Sequence, residues 1–341
     1  MRLSAWTLAL GGLVFVSGRV AADEKDDAAK KAAADEKARS EAGGKVAWTA
    51  AKGEKATFRV KETSSMKGRT QQGEMEQGTE RDIVYAIQVE ERKENGDLVL
   101  NVTFPTVKIK QEGGRGSLDF DSAKKDAPAE GPAAYLREAA AKTITVKVEG
   151  GRITDVAGFP EQARGEDGDR PRGRGGFGGG GTALSRGAVE RDLGYILSLP
   201  AAGKDLEKGK AYRLERDAAR ERRPEGDGER RRTRFGGLRG GSPTVYTFVG
   251  KETSKGDGAA YVFELAPDSA DRPQAGGDAP RFSMDRKGKG TALVSATNGF
   301  ILQLELDVEE TTKGGENFQS DRKSKLSISR EGGEKKGGIK L

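Results

Sequence analysis

From Lys45 onward the chain alternates apolar and polar residues in short runs. In "KATFRV", Ala56, Phe58 and Val60 share one face. "DIVYAIQVE" groups Ile83, Tyr85, Ile87 and Val89, "LVLNVTF" groups Leu98, Leu100, Val102 and Phe104, and "TITVKVE" groups Ile144, Val146 and Val148. A period of two predicts half-buried strands. The turn signals "KENGD" (93–97) and "EGGR" (149–152) separate them, and Asn-Gly between alternating runs marks a hairpin. One dry face and one wet face point to an antiparallel sheet. A second alternating region follows in "TVYTFVGKE" (244–252), "AAYVFELA" (259–266), "GTALVSA" (290–296), "GFILQLELDVEE" (299–310) and "SKLSISR" (324–330). Two stretches change to helical spacing. "GPAAYLREAAAK" (131–142) carries Pro132 near its first turn. "TALSRGAVERDLGYILSLP" (182–200) puts Leu184, Val189, Leu193, Ile196 and Leu197 in a stripe, although Gly187 and Gly194 lower its propensity.

The two alternating regions echo each other. "VYAIQVEERKENGD" (84–97) matches "VYTFVGKETSKGD" (245–257), and "ITVKVEGGRITDV" (144–156) resembles "ALVSATNGFILQL" (292–304). The shared order of starts and turns predicts an internal duplication. The expected organisation is a first β repeat over 45–160, a Gly/Arg-rich low-complexity linker over 161–183, a second β repeat over 184–330 with a disordered insertion near 217–241, and a polar tail over 331–341. The expected fold is mainly β, with two repeated curved antiparallel sheet units, Gly/Arg-rich disordered insertions and one short helix per repeat. Its dry face is expected to hold Phe58, Tyr85, Ile87, Leu100, Val102, Ile144 and Val146 from the first half. Tyr246, Phe248, Tyr261, Phe263, Leu302 and Leu304 serve in the second.

The N-terminus departs from this pattern. Arg2 is followed by a nearly uncharged apolar run from Leu3 to Ser17, and Val20-Ala21-Ala22 sets small residues at −3 and −1 before Asp23. These are the three parts of a secretory signal peptide, here residues 1–22. The run is shorter than the roughly 20 residues of a membrane-spanning helix. Cleavage would remove Arg2 and Arg19 and lower the formal charge of +6 by two. The expected location is periplasmic or extracellular, with no transmembrane segment after cleavage. Asp23–Gly44 is an Ala/Lys/Asp/Glu spacer, disordered or an isolated helix.

Composition narrows the chemistry. The chain has no cysteine and no histidine, so Ser-His-Asp and Cys-His catalysis and the usual zinc and copper sites are excluded. No catalytic residue, cofactor or metal site is assigned, and the chain is read as non-enzymatic, with a carboxylate-based hydrolase as the residual option. Its hydrophobic content of 34% lies below the globular norm of about 45–50% because polar segments dilute the patterned regions.

Several motifs raise specific possibilities. "RPRGRGGFGGGG" (170–181) and Arg239-Gly240-Gly241 have the spelling of RNA-binding RGG segments. Arg164, Arg170, Arg172 and Arg174 are offset by Glu161, Glu166, Asp167 and Asp169, however, and export separates the chain from RNA, so nucleic acid is set aside. Residues 213–241 hold ten arginines against six acids. Arg230, Arg231, Arg232, Arg234 and Arg239 are the candidates for binding an anionic envelope component. Gly173–Gly178 spells G-x-G-x-x-G without the flanking strand and helix that a dinucleotide site needs. Asp119 and Asp121 could share one strand face for calcium, but no EF-hand loop pattern surrounds them. Glu305, Asp307, Glu309 and Glu310 read as a wet face, and Asn101-Val102-Thr103 as a glycosylation sequon in spelling only.

The order of signal peptide, spacer, "GEKATFRVKETSSM" (53–66), long "VY" hairpin and "GGRITDVAGFP" (150–160) hairpin, then a second such set, resembles a family of secreted bacterial proteins carrying a duplicated β-rich domain of unknown function. The resemblance spans about residues 50–330. It implies an outline similar to the curved sheet of periplasmic lipoprotein carriers, whose concave face holds acyl chains. It carries over no catalytic residue, and the Arg/Gly insertions depart from it. Two functions compete: a non-catalytic structural or interaction module of the envelope, and a carrier of an apolar small molecule or lipid. The carrier's ligand face would be Phe58, Tyr85, Ile87, Leu100, Val102, Tyr246, Phe248, Tyr261, Phe263, Leu302 and Leu304. A carrier needs a preformed apolar cavity; a module has a packed core.

Overall fold

The computed structural model describes residues 43–46, 49–70, 73–113, 117–124, 131–150, 152–160, 184–197, 205–214, 244–254, 258–267, 282–314 and 318–332. Residues 1–42, which include the expected signal peptide and most of the expected spacer, lie outside these residues, as do the expected linker (161–183) and insertion (217–241). The described residues all belong to one compact unit.

The first alternating region supplies β2 (Lys55–Thr70), β3 (Gly73–Arg92), β4 (Leu98–Gly113), β5 (Leu118–Asp121), β6 (Ile144–Glu149) and β7 (Arg152–Ala157). The second supplies β9 (Ala211–Leu214), β10 (Thr244–Ser254), β11 (Gly258–Pro267), β12 (Phe282–Ser295), β13 (Ile301–Gly314) and β14 (Phe318–Glu331). All join one 12-stranded antiparallel sheet in the order β7-β6-β4-β3-β2-β14-β13-β12-β11-β10-β9, with β5 beside β4. The halves meet where β14 pairs with β2, from Gln319 opposite Arg69 to Glu331 opposite Thr57. A separate ribbon pairs β1 (Gly43–Lys45) with β8 (Asp205–Leu206).

Local chemistry explains the connections. In the β3–β4 hairpin, Gly96 takes φ +87° and donates its N–H to the Lys93 carbonyl at 3.0 Å. Asp97 then accepts from the Asn95 amide at 2.7 Å and from the Gly150 N–H at 3.0 Å, joining this turn to the β6–β7 turn. Helix α1 (Gly131–Ala141) begins with Pro132 in its first turn. Helix α2 (Arg186–Leu197) is capped by Ser185, whose hydroxyl accepts from the Ala188 N–H at 3.3 Å.

Both helices lie on the dry face. The core joins Phe58, Val60, Ile83, Tyr85, Leu100, Val102, Ile144 and Val146 to Tyr246, Phe248, Phe263 and Leu304, covered by Leu136 of α1, Val189, Leu193 and Ile196 of α2, and Val46 and Ala50. Ring pairs lock it, including Tyr85–Phe104 at 5.4 Å and Phe58–Phe300 at 5.8 Å between centroids. Each such aromatic or large aliphatic side chain contributes about 1.5–3 kcal/mol through burial.

Two details correct the expected faces. Leu302 does not lie beside Leu304. It packs in a second buried cluster with Ala260, Val262 and Leu293. Val294 opposes Ile301 while Leu293 opposes Gln303, so Leu302 is the extra residue of a bulge and turns away from the main core. Glu310 adjoins Glu309 along β13, so strand alternation puts the two on opposite faces.

Six strands run well past the alternating runs. Strands β2, β3 and β4 have 16, 20 and 16 residues, and β12, β13 and β14 have 14 each. Their distal parts are mostly polar, as in Thr63–Thr70, Gly73–Glu80 and Asp321–Lys325. These parts hold together through cross-strand pairing rather than burial. Where β12 pairs with β13, Gly288 and Gly290 let the backbones approach closely. A Cβ on Gly290 would collide with the Glu305 carbonyl oxygen and lie 2.9 Å from Leu306 Cα.

Candidate functional site

Two polar arrangements stand out, one inside the sheet and one outside it. The inner one grows from charged residues placed in step with apolar faces. Glu62 follows Val60 by two positions on β2, and Arg81 precedes Ile83 by two on β3, so both point toward the core. Asp192 lies within the stripe formed by Val189, Leu193 and Ile196 on α2. The three converge. Arg81 donates to both Asp192 carboxylate oxygens at 3.0 and 2.9 Å and lies 2.9 Å from Glu62. Tyr85 donates its hydroxyl to Asp192 at 2.7 Å, and Arg191 bridges Glu62 at 2.6 Å and Asp192 at 3.1 Å.

The Asp192 side chain is 0% exposed and that of Arg81 3%. Burial pushes the Asp192 carboxyl up, but the Arg81 and Arg191 guanidiniums pull it further down, leaving it below the usual carboxylate range. Burial, reinforced by the Asp192 charge, holds the Tyr85 hydroxyl well above its ordinary value. Glu62 and Asp192 face Arg81 and Arg191, with Asp192 and Arg81 buried, Arg191 at the rim, and Arg322 4.0 Å from Glu62 on the outside. The arrangement is a clasp that fixes α2 on the sheet, and Asp192 is held as an anion rather than poised to exchange a proton.

The outer arrangement is a trough of about 510 Å³ across the distal parts of β13, β14, β2, β3 and β4. Register builds it in two rows. One runs Lys110, Glu80, Thr63, Lys325, Asp307, and the next runs Glu112, Gly78, Ser65, Lys323, Glu309. The small side chains Thr63, Ser65 and Gly78 form its floor. The walls rise from β4 on one side and from β14 and β13 on the other. Between β4 and β14 lie three strand spacings, about 14 Å.

Each wall is internally paired: Lys110 to Glu112 at 2.9 Å and Lys323 to Glu309 at 2.9 Å. The Glu112 hydrogen bond holds Lys110 above its usual value, and the Glu309 hydrogen bond does the same for Lys323. The Lys67–Glu76 pair at 3.1 Å lies beyond one end, and the Arg59–Asp82 fork, at 2.6 and 2.7 Å, lies beyond the other.

The residues expected to line an apolar cavity are instead packed. Phe58, Tyr85, Leu100, Val102, Tyr246, Phe263 and Leu304 are fully buried, and Ile87, Phe248, Tyr261 and Leu302 are buried as well. All but Leu302 belong to the main core. Asp119 is exposed, and Asp121 is engaged by Lys108 at 3.1 Å and by the Ala123 N–H at 3.0 Å. Among the described residues, no group of three Asp or Glu side chains is placed to hold a metal ion. Glu305, Asp307 and Glu309 keep the wet face, and the last two line the trough. Arg230, Arg231, Arg232, Arg234 and Arg239 lie outside the described residues, as do Gly173–Gly178.

The sequence reading missed both the clasp and the trough. The clasp had a usable signal in charged residues that keep step with an apolar face. The trough's signal was weaker: period-two charges in "KIKQE", beyond the predicted strand, and in "ELDVEE", where they read as an ordinary wet face.

A lipovitellin structure solved to describe lipid–protein interactions aligns at 10% identity over 85% of this chain and 26% of that one, with a TM-score of 0.44. The outer membrane protein OpdK of Pseudomonas aeruginosa aligns at 8% identity over 81% of this chain and 98% of that one, with a TM-score of 0.19. The chain thus spans about a quarter of the lipovitellin chain it aligns with. Both scores fall below the level that establishes a shared fold. No family model and no curated protein matches the chain; its own features define it, a 12-stranded antiparallel sheet with a packed inner face and a polar trough on the outer one.

Proposed function

We propose that this chain is a non-catalytic interaction module of the cell envelope, exported by its N-terminal signal, whose working surface is the outer face of the sheet. The observation that carries this reading is the packed interior. Phe58, Tyr85, Phe263 and Leu304 are each 0% exposed in one core that also takes in Leu136 of α1 and Val189, Leu193 and Ile196 of α2. The Arg81–Asp192 clasp ties α2 down. An apolar ligand entering this core would have to displace packed side chains, and moving α2 aside would break the buried Arg81–Asp192 ion pair.

The test is native mass spectrometry of residues 23–341, exported and purified without detergent. The expected result is the mass of the protein alone. A co-purifying mass that disappears on organic extraction, with lipid in the extract, would overturn the reading in favour of an apolar-ligand carrier.

A further inference from the structure

The hydrogen-bonding pattern of the trough selects a class of ligand. Beneath it β14, β2 and β3 are paired on both sides, so their backbone groups belong to the sheet ladder. A peptide laid across this face would find no main-chain partners of the kind a sheet edge provides. The side chains must make every contact. Thr63 and Ser65 both donate and accept, Glu80 and Asp307 only accept, and Lys110 and Lys325 only donate. A ligand matching all three kinds needs groups that donate and accept at every position, which describes the hydroxyls of a sugar chain.

Charge supports the same class. The wall lysines Lys110 and Lys323 are each neutralised by a neighbouring glutamate, so the surface favours neither a polyanion nor a polycation. The width of about 14 Å admits one polysaccharide strand lying parallel to β2. No aromatic ring is among the lining residues. Affinity must therefore come from many weak contacts along a chain rather than from one stacked sugar.

We propose that the trough binds a linear, uncharged polyhydroxylated glycan through Thr63, Ser65, Glu80, Lys110, Asp307 and Lys325. The proposal rests on the interaction-module reading and names the ligand class of its surface.

Affinity electrophoresis of residues 23–341 tests it, in native gels containing a soluble neutral β-glucan or an N-acetylated amino-sugar polymer. The blocking variant is Gly78→Leu. A Cβ at Gly78 meets nothing within 4 Å, so the backbone accepts a side chain that projects from the floor into the trough, and circular dichroism verifies the fold. The expected result is retardation by at least one polymer, weakened about tenfold in Gly78→Leu, a loss equivalent to one or two hydrogen bonds. Lys61→Gln, on the same face but outside the lining, should be retarded as much as the parent, each relative to its own mobility in a polymer-free gel.

Failure to be retarded by either polymer overturns the proposal. So does retardation unchanged by Gly78→Leu, or retardation seen only with dextran sulfate or with a Gly/Ser peptide polymer. A parallel retention assay on whole envelope material separates this failure from that of the module. Retention without glycan binding removes the glycan alone; no retention removes both.

Discussion

Asp192 joins α2 to the sheet through buried charge. It accepts from Arg81, Tyr85 and Arg191 at full burial, so removing it leaves the buried Arg81 guanidinium with Glu62 as its remaining carboxylate in the clasp and the Tyr85 hydroxyl without its acceptor. Asp192→Ala is expected to cost about 3–5 kcal/mol in chemical denaturation. The pH dependence has a definite sign. The Asp192 pKa is depressed in the folded state, so its stabilisation is complete above the unfolded value of about 3.9 and fades as pH falls through the lower folded value. The Tyr85 pKa is raised, so its share is complete below the unfolded value of about 10 and is lost as pH rises through the folded value. Denaturation midpoints should fall at both extremes, with Asp192→Asn flattening the acid limb and Tyr85→Phe the alkaline one. Unchanged limbs would remove these roles. In the sequence, Val189, Leu193 and Ile196 identified the buried stripe of α2, but the acid within it passed as an ordinary polar residue. Its partners on β2 and β3 are far away in sequence, and only strand pairing reveals that Glu62 opposes Arg81.

At the scale of elements, the apolar halves of the strands were legible and the polar halves were not. "KATFRV" and "DIVYAIQVE" alternate because one face is buried. "TSSMKGRT" and "GEMEQGTE" (63–70 and 73–80) lack a buried apolar face, and their strand state comes from neighbours supplying hydrogen bonds. The trough lies in those halves and was hidden with them. The close approach of β12 to β13 depends on a different property, the missing side chain of Gly290. The atoms that its Cβ would strike are backbone and cannot rotate away. Gly290→Ala is therefore expected to lose about 1–3 kcal/mol through overpacking. Gly78→Ala, facing open space, should stay within about 0.5 kcal/mol of the parent. Equal effects in thermal melts would contradict the close approach of the two strands.

The whole molecule unites two strand-rich regions that the sequence presents as separate repeats. Phe58 and Phe263 belong to the same core, and β14 beside β2 makes their strands parts of one sheet. Phe58→Ala and Phe263→Ala should each cost about 3–5 kcal/mol and lower one common calorimetric transition. Two transitions, each sensitive to only one substitution, would mean that the halves melt independently. The seam itself joins the first long strand to the last, with Thr57 opposite Glu331. Contacts between residues so distant in sequence form slowly, because almost the whole chain must be gathered first. In a chain growing from its N-terminus, the β2 edge stays without its β14 partner until Glu331 has been reached. One strand pair thus sets the order of assembly: the two halves cannot be joined into a continuous sheet before β14 exists.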